Sequence, residues 1–411
     1  MTNARALGLP GYAVFAAMLA SAGLPIYIHA PKFYVDEYGV SLAALGAVLF
    51  GLRLFDFVQD PILGWVSEAA REARRMLVLL AVAVMALSMV GLFAITPPIA
   101  PLLWFALTLT GLFTAFSFLT INFYAQGVRK ADELGPNGHV RLASWRETGA
   151  LLGVCVAAVI PTALASTTQS PFAMFAAGFV GLAILAAWAM RREWVARPAA
   201  DTTPGFGPVL SDGIARRLLL IALVNATPVA VTSTLFLFFV ESRLAAPGWE
   251  GPLLLLFFLA AAVSAPFWGK AAARYGAKQA LLAGMAIAIA SFAFAAFLGP
   301  GDTLAFAVIC LASGAALGAD LTLLPAIFAR RMARIAPDAG QAFGLWSFVS
   351  KFTLAFAAVT LLPLLDLAGF QAGATNPAEA LTMLTILYAL VPCALKLIAI
   401  ALLAATPLKE S

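Results

Sequence analysis

The sequence predicts an all-α membrane protein of twelve transmembrane helices in two six-helix bundles, with both termini in the cytoplasm. Of its 411 residues, 63% are hydrophobic and only 11% are charged, and its mean hydropathy is +0.96. A soluble domain carries about 25% charged residues and about 45–50% apolar ones. Long apolar runs alternate with short polar connections, and basic residues cluster in every second connection. These observations exclude an ordinary soluble enzyme and predict a chain whose solvent is lipid.

Each predicted helix is an apolar run long enough to cross a bilayer, which takes about 20 mostly apolar residues. Turn signals such as Pro97-Pro98 and Gly299-Pro300-Gly301 separate neighbouring runs. The predicted spans are 10–35, 42–66, 76–97, 102–128, 143–165, 172–190, 216–241, 252–273, 279–298, 304–329, 342–366 and 380–405.

The basic residues predict the orientation of these spans. Arginine and lysine cluster after spans 2, 4, 6, 8 and 10, whereas the opposite connections hold little beyond Lys32 and Arg243. Because cytoplasmic loops carry an excess of these residues, both termini are predicted to be cytoplasmic. We expect a multi-pass protein of the bacterial inner (plasma) membrane without a cleaved signal peptide.

The longest polar connection divides the chain into two halves that resemble each other. It predicts an N-terminal bundle over 1–190, a cytoplasmic linker over 191–215 and a C-terminal bundle over 216–411. Span 2 closes on Asp60-Pro61-Ile62-Leu63-Gly64-Trp65, and span 8 closes on Ala265-Pro266-Phe267-Trp268-Gly269, with the same spacing from proline to glycine. Internal repeats of this kind are typical of secondary transporters.

Span 2 also carries three charged residues on one face. Arg53, Asp56 and Asp60 are three and four residues apart, which places them on the same side of a helix. Inserting each charge near the bilayer centre costs at least about 2.5–3.5 kcal/mol, so each charge is expected to have a partner or a function. Because Arg53 cannot neutralise both carboxylates, we expect a second positive charge, either a basic side chain or a bound cation. A sodium ion or a proton would relieve the repulsion between the carboxylates. The alternative is a structural network of ion pairs.

Other spans supply further charged residues but no constellation typical of an enzyme. Lys351 in span 11 and Lys396 in span 12 are the candidates for the second positive charge, and span 10 adds one more acid, Asp320. We assign Asp320 with Arg53 and Lys351 to a network that gates transport. The cysteines lie far apart, no Walker-type phosphate loop is present, and no Ser-His-Asp arrangement stands out. We therefore expect no enzymatic activity, no cofactor, and transport that is either gradient-driven or passive.

One segment resembles the second-helix signature of the glycoside–pentoside–hexuronide:cation symporters, the melibiose-permease-like branch of the major facilitator superfamily. This segment reads Arg53-x-x-Asp56-x-x-Gln59-Asp60-Pro61-x-x-Gly64-Trp65. Further stretches similar to that family are Phe33-Tyr34-Val35-Asp36, Arg141-Leu142-x-Ser144-x-Arg146, Gly314 with Gly318, and Gly344 with Lys351. The resemblance implies the major facilitator fold and the symport of a small organic solute with a cation by alternating access.

The resemblance also implies roles for individual residues. Asp56 and Asp60 would bind the coupling cation, with Gln59 beside them and Ser117 near a hydroxyl-ligand position. Lys351 would face the cation site from the second half. Arg146 would line the substrate cavity and Tyr124 would stack on substrate. We add Asn122 of span 4 and Lys396 of span 12 to this predicted cavity.

The substrate class stays open at this point. Melibiose-type members carry acids in spans 1 and 4, whereas here span 1 has none before Asp36 and span 4 reads Leu119-Thr120-Ile121-Asn122-Phe123. An amphipathic or lipid-like compound is therefore as plausible as a sugar. An uncoupled or export carrier, or a non-transporting assembly protein on the same fold, are the alternatives. We expect a monomer whose partners are a small-molecule substrate and the lipid bilayer, with no nucleic acid.

Overall fold

The structure, a computed structural model, describes residues 8–135, 137–165, 167–194, 206–336, 339–371 and 376–408. Its regular elements are helices. Those of the N-terminal part are α1 (Leu9–Ser21), α2 (Leu24–Tyr38), α3 (Leu42–Ala69), α4 (Arg74–Phe93), α5 (Pro101–Glu133), α6 (Gly138–Leu164) and α7 (Pro171–Met190).

The C-terminal part is built in the same way, with two π-helical turns. Its helices are α8 (Gly207–Ser211), α9 (Gly213–Phe238), α10 (Glu250–Tyr275), α11 (Ala277–Phe292), α12 (Thr303–Ile335), α13 (Gly340–Leu367), α14 (Ala378–Thr385) and α15 (Val391–Ala404). The π-helical turn Phe239–Arg243 follows α9, and the turn Ile386–Leu390 joins α14 to α15.

Within the described residues, ten helices are long and apolar enough to cross a membrane, which confirms an all-helical membrane protein. The predicted first span, 10–35, is not one helix, because α1 ends at Ser21 and α2 begins at Leu24. Gly23 lies at this break, where glycine destabilises a helix, and Pro25 lies in the first turn of α2, where its missing N–H leaves no helical hydrogen bond unmade. The predicted span 42–66 lies within the single helix α3, which is not among these ten, so its crossing of the membrane stays a prediction. The total of twelve crossings and the orientation stay predictions.

Residue contacts divide the chain into two compact units. The first comprises Met1–Val209 and Met332–Phe348, and the second comprises Leu210–Arg331 and Val349–Ser411. The end of α12 and the start of α13 thus group with the first unit. The domain bounds proposed from the sequence stay a prediction.

The core of the first unit is aromatic and tightly packed. Tyr12 and Phe123 stack with ring centroids 5.3 Å apart, and Phe15 lies 5.5 Å from Trp194. Beside this cluster, α6 crosses α1 at two glycines. A Cβ added to Gly149 would collide with the backbone of Ala13, and one added to Gly153 with the backbone of Ala17. Small residues here let the two helix backbones touch.

Gly149→Ala is therefore expected to lower the free energy of unfolding by about 1–3 kcal/mol, because backbone atoms cannot rotate out of the way. The matched control is Gly178→Ala in α7, where nothing lies within 4 Å of the added Cβ. Alanine favours a helix over glycine by about 1 kcal/mol, so this control should be neutral or stabilising. Thermal unfolding of both purified variants checks the prediction. Equal shifts in the two variants would contradict the close crossing of α1 and α6.

The second unit begins at a charged helix cap. Asp212 accepts a hydrogen bond from the backbone N–H of Ala215 at 2.7 Å and caps the N-terminus of α9. Arg331 of α12 donates to the same carboxylate through Nε at 3.0 Å and through a second nitrogen. These contacts, that of Arg331 above all, hold the pKa of the Asp212 carboxyl below its usual value.

Because this folded-state pKa is lowered, the pair should stabilise the protein fully above the unfolded pKa of about 3.9 and lose that effect as the pH falls through the folded pKa. Asp212→Asn keeps a helix cap but removes the charge. We expect it to cost roughly 1 kcal/mol at neutral pH. The difference in Tm between the wild type and the variant should shrink as the pH is lowered from 6 to 3. A difference that stays constant with pH would contradict the ion pair.

Candidate functional site

Helix α3 turns its polar side chains inward and its apolar ones outward. Asp56, Gln59 and Asp60 are buried, with 3%, 6% and 0% of their surface exposed. Phe55 and Val58, on the same helix, are 48% and 62% exposed. Such a pattern is the reverse of that of a soluble helix and suits a helix with lipid on its outer side. The two carboxylates and the amide of the predicted cation site thus face the protein interior.

Neutral donors bind both carboxylates of this face. The side-chain amide of Gln59 donates to Asp56 Oδ1 at 2.5 Å, and Thr114 Oγ1 of α5 donates to Gln59 Oε1 at 2.9 Å. Ser347 Oγ donates to Asp60 Oδ2 at 2.7 Å. Carboxylate, amide and hydroxyl oxygens are the ligands that hard cations prefer.

The first turns of α13 hold Ser347 against α3. Gln341 donates to Glu68 through its backbone N–H at 2.7 Å and through its side-chain amide at 3.0 Å. Between these contacts the backbones approach closely, since a Cβ added to Gly344 would lie 3.1 Å from the carbonyl oxygen of Asp60. Only a small residue at position 344 allows this approach, which brings the Ser347 hydroxyl to Asp60.

Ser117 and Asn122 lie further along α5. Ser117 is 1% exposed and lies one helical turn after Thr114. Asn122 is fully buried, accepts from Ser67 Oγ of α3 at 2.8 Å and donates to the backbone of Phe118 at 2.9 Å. The bond from Ser67 ties α3 to α5, so Asn122, predicted as a cavity residue, has a packing role in the structure.

Tyr124 and Arg146, predicted to line the substrate cavity, form one cluster with Glu147. Arg146 Nε donates to Glu147 Oε1 at 2.8 Å, and the Tyr124 hydroxyl donates to the same oxygen at 3.3 Å. The guanidinium carbon of Arg146 lies 3.8 Å from the centroid of the Tyr124 ring. One guanidinium nitrogen of Arg146 is buried and has no hydrogen-bond partner among the described residues. A solute oxygen placed there would receive a charge-assisted hydrogen bond.

Lys396, predicted as a cavity residue, and Asp320, predicted as a gating residue, form a buried ion pair in the second unit. They are 5% and 7% exposed. Lys396 Nζ also donates to Asn225 Oδ1 of α9 at 2.7 Å. Sequence reasoning identified both charges but not that they pair with each other.

The other two predicted network residues, Arg53 and Lys351, belong to different units. Arg53 lies one turn before Asp56 on α3 and is partly exposed, and Lys351 is partly exposed on the stretch of α13 that belongs to the second unit. In the described part of the chain, no three or more His, Cys, Asp or Glu residues form a group that could hold a metal ion.

Polar partners that are not among the residues predicted from the sequence include Thr114, Ser347, Asn225, Ser67 and Glu147. Helical spacing could have found the first two. Thr114 shares a helix face with Ser117, and Ser347 lies four residues before Lys351. Asn225 interrupts an apolar run, but its link to Lys396 depends on how the helices pack.

Solved structures with the same fold are transporters. A bacterial homologue of the iron transporter ferroportin in an outward-facing state is 13% identical, with a TM-score of 0.70 over 97% of this chain and 98% of that chain. The same homologue with soaked iron gives 14% identity and a TM-score of 0.71 over 97% and 98%. A variant of the Escherichia coli fucose:proton symporter is 13% identical, with a TM-score of 0.65 over 97% and 99%.

The sequence comparisons place the chain in a family. A search of curated proteins finds no significant match. Residues 9–410 match the family model described as MFS/sugar transport protein. The matched range covers nearly the whole chain, and the fold agrees with it. The finer assignment to the melibiose-permease-like branch stays a prediction. This multi-pass membrane protein belongs to the MFS/sugar transport protein family of transporters.

Proposed function

We propose that this protein is a secondary active transporter that moves a small organic solute together with sodium ions or protons, by alternating access, in a bacterial inner membrane. Family membership supports the transport of a solute. The observation that carries the coupling is that Asp56 and Asp60 are buried one turn apart on α3 and accept hydrogen bonds from neutral side chains. We further propose that the chain works as a monomer and needs no cofactor besides the coupling ion.

The cation site in this proposal consists of the Asp56 and Asp60 carboxylates, with Gln59 Oε1 and the Ser117 hydroxyl as neutral ligands. A sodium ion fits such hard oxygen ligands. A proton would instead neutralise one carboxylate of the pair. Either change weakens Asp60 as an acceptor for Ser347. Binding of the ion therefore weakens a contact between α3 and the first turns of α13. The fucose:proton symporter, which shares the fold, is named for proton coupling, which supports testing both ions.

The solute site in this proposal is the cluster of Tyr124, Arg146 and Glu147, with Phe343 5.1 Å from the Tyr124 ring. The buried guanidinium nitrogen of Arg146 offers a donor to a solute oxygen, and the two rings offer an apolar surface. A small solute with one hydrogen-bond acceptor and an apolar or ring face suits these groups.

Thermal unfolding of the purified wild type in sodium, lithium or potassium chloride, at several pH values, tests the coupling. A ligand that binds only the folded state raises the apparent stability. Stabilisation by sodium but not potassium would support sodium coupling. A shift with pH that Asp56→Asn and Asp60→Asn remove would support proton coupling. No response to either ion would contradict the coupling and favour a structural role for the carboxylates.

A further inference from the structure

The second unit contains a half-open cavity, with about 70 Å³ of space inside it, that the proposed cation site does not use. Helices α9, α10, α11, α12 and α15 contribute to its walls, which are mainly aliphatic and aromatic side chains. Asp320 and Lys396 line it as well and are among its buried residues, whereas Phe257 and Phe292 are partly exposed. The cavity therefore combines an ion pair at its buried end with apolar walls.

The ion pair at this end retains hydrogen-bonding capacity. Lys396 Nζ donates to Asp320 Oδ2 and to Asn225 Oδ1, which uses two of the three donors of an ammonium group. The other carboxylate oxygen, Asp320 Oδ1, is buried and has no hydrogen-bond partner in the part of the chain that the structure describes. Buried polar atoms without partners are rare in folded proteins, so Asp320 Oδ1 indicates a missing donor.

A neutral hydroxyl group fits this end better than an ion does. Asp320 and Lys396 together are neutral, and an added cation or anion would leave an uncompensated buried charge. A hydroxyl donates one hydrogen bond and accepts another, so it can satisfy Asp320 Oδ1 and the third donor of Lys396 together. Water could do the same, but water leaves the apolar walls without packing partners.

We propose that this cavity binds a neutral amphipathic alcohol. Its hydroxyl lies between Asp320 and Lys396, and its apolar body packs against Phe257, Ile289 and Phe292. The site is formed by the second unit alone, so it goes beyond the proposed coupling and does not depend on it.

Cys393 reports on occupancy of the cavity in the unaltered protein. It lines the cavity and is partly exposed, whereas Cys155 and Cys310 are buried. Benzyl alcohol should slow the labelling of Cys393 by methyl methanethiosulfonate about fivefold at roughly four times its Kd, since the free fraction falls as 1/(1 + [L]/Kd). Ethylbenzene has a methyl group in place of the hydroxyl. At the same concentration in the detergent micelles, it should slow the labelling of Cys393 less than about twofold. Mass spectrometry of the peptides reads each cysteine separately.

Two phenylalanine variants of α11 localise the effect. Ala288 lines the cavity and Ala290 is exposed on another face of the helix. Ala288→Phe should abolish protection by benzyl alcohol, and Ala290→Phe should retain it. The Tm provides a second readout that needs no labelling. Benzyl alcohol, but not ethylbenzene, should raise the Tm of the wild type and of Ala290→Phe and should leave that of Ala288→Phe unchanged.

Three results would overturn the proposal. Equal effects of benzyl alcohol and ethylbenzene would mean that the ion pair does not recognise a hydroxyl. No effect of either compound on Cys393 or on the Tm would mean that the cavity holds water only. An effect that survives in Ala288→Phe would place the bound alcohol elsewhere.

Discussion

Asp60→Asn is expected to abolish the stabilisation of the purified protein by its coupling ion while leaving the protein folded. An amide at position 60 keeps the size of the side chain and can still accept the hydrogen bond of Ser347. It removes the charge that a sodium ion or a proton would neutralise. If the wild type is measured at 100 times its Kd for sodium, about 2.7 kcal/mol of stabilisation should disappear. The measurement is the Tm of both proteins in matched sodium and potassium buffers, and over a range of pH.

The control is Asp36→Asn, the same chemical change at an exposed position of α2. Asp36 pairs with Lys32 at 2.8 Å on the surface, where such a pair contributes little. This variant should respond to sodium and pH as the wild type does. Asp56→Asn should behave like Asp60→Asn, because both carboxylates belong to the proposed site. A full ion response in Asp60→Asn would remove Asp60 from the site, whichever ion is coupled.

The sequence predicted the inner face of α3 because helical periodicity alone determines it. Residues 53, 56 and 60 must share a face, and burial of the two acids in the structure agrees with that spacing. The runs of apolar residues likewise predicted where helices lie, since lipid requires backbone hydrogen bonds to be satisfied within a segment. The break in the first run at Gly23 and Pro25 was available in the sequence, but the length of the run concealed it.

Partners from distant helices could not be predicted in this way. Ser347 is 287 residues from Asp60, and Lys396 is 76 residues from Asp320. Which helices become neighbours depends on topology and packing, not on the periodicity of either helix. For Lys396, its position inside a predicted span suggested a residue of the substrate cavity. The sequence did not show that Asp320 is its counter-charge. Burial of an ammonium and a carboxylate together makes each a strong determinant of the other's position.

Lys396→Met is expected to destabilise the second unit strongly, by about 3–5 kcal/mol. Methionine fills a similar volume but leaves the Asp320 carboxylate buried without a counter-charge and Asn225 Oδ1 without its donor. Such a loss is a large part of the net stability of a typical protein, about 5–15 kcal/mol. The Tm and the yield of folded protein in detergent should both fall. Lys270→Met, which alters an exposed lysine of α10, should change neither by much.

The double variant Asp320→Asn with Lys396→Met separates charge from packing. Removing both charges together leaves no unpaired ion, and replacing a buried pair by neutral side chains is often close to neutral in stability. We therefore expect Asp320→Asn to restore most of the stability that Lys396→Met removes. The coupling energy between the two substitutions should be well above about 0.3–0.5 kcal/mol, the margin within which the effects of independent substitutions add. Additive losses would mean that the two residues act separately. That result would contradict an ion pair between α12 and α15. A strong coupling would instead establish that the ion pair with Asp320 holds Lys396 in the interior of the protein.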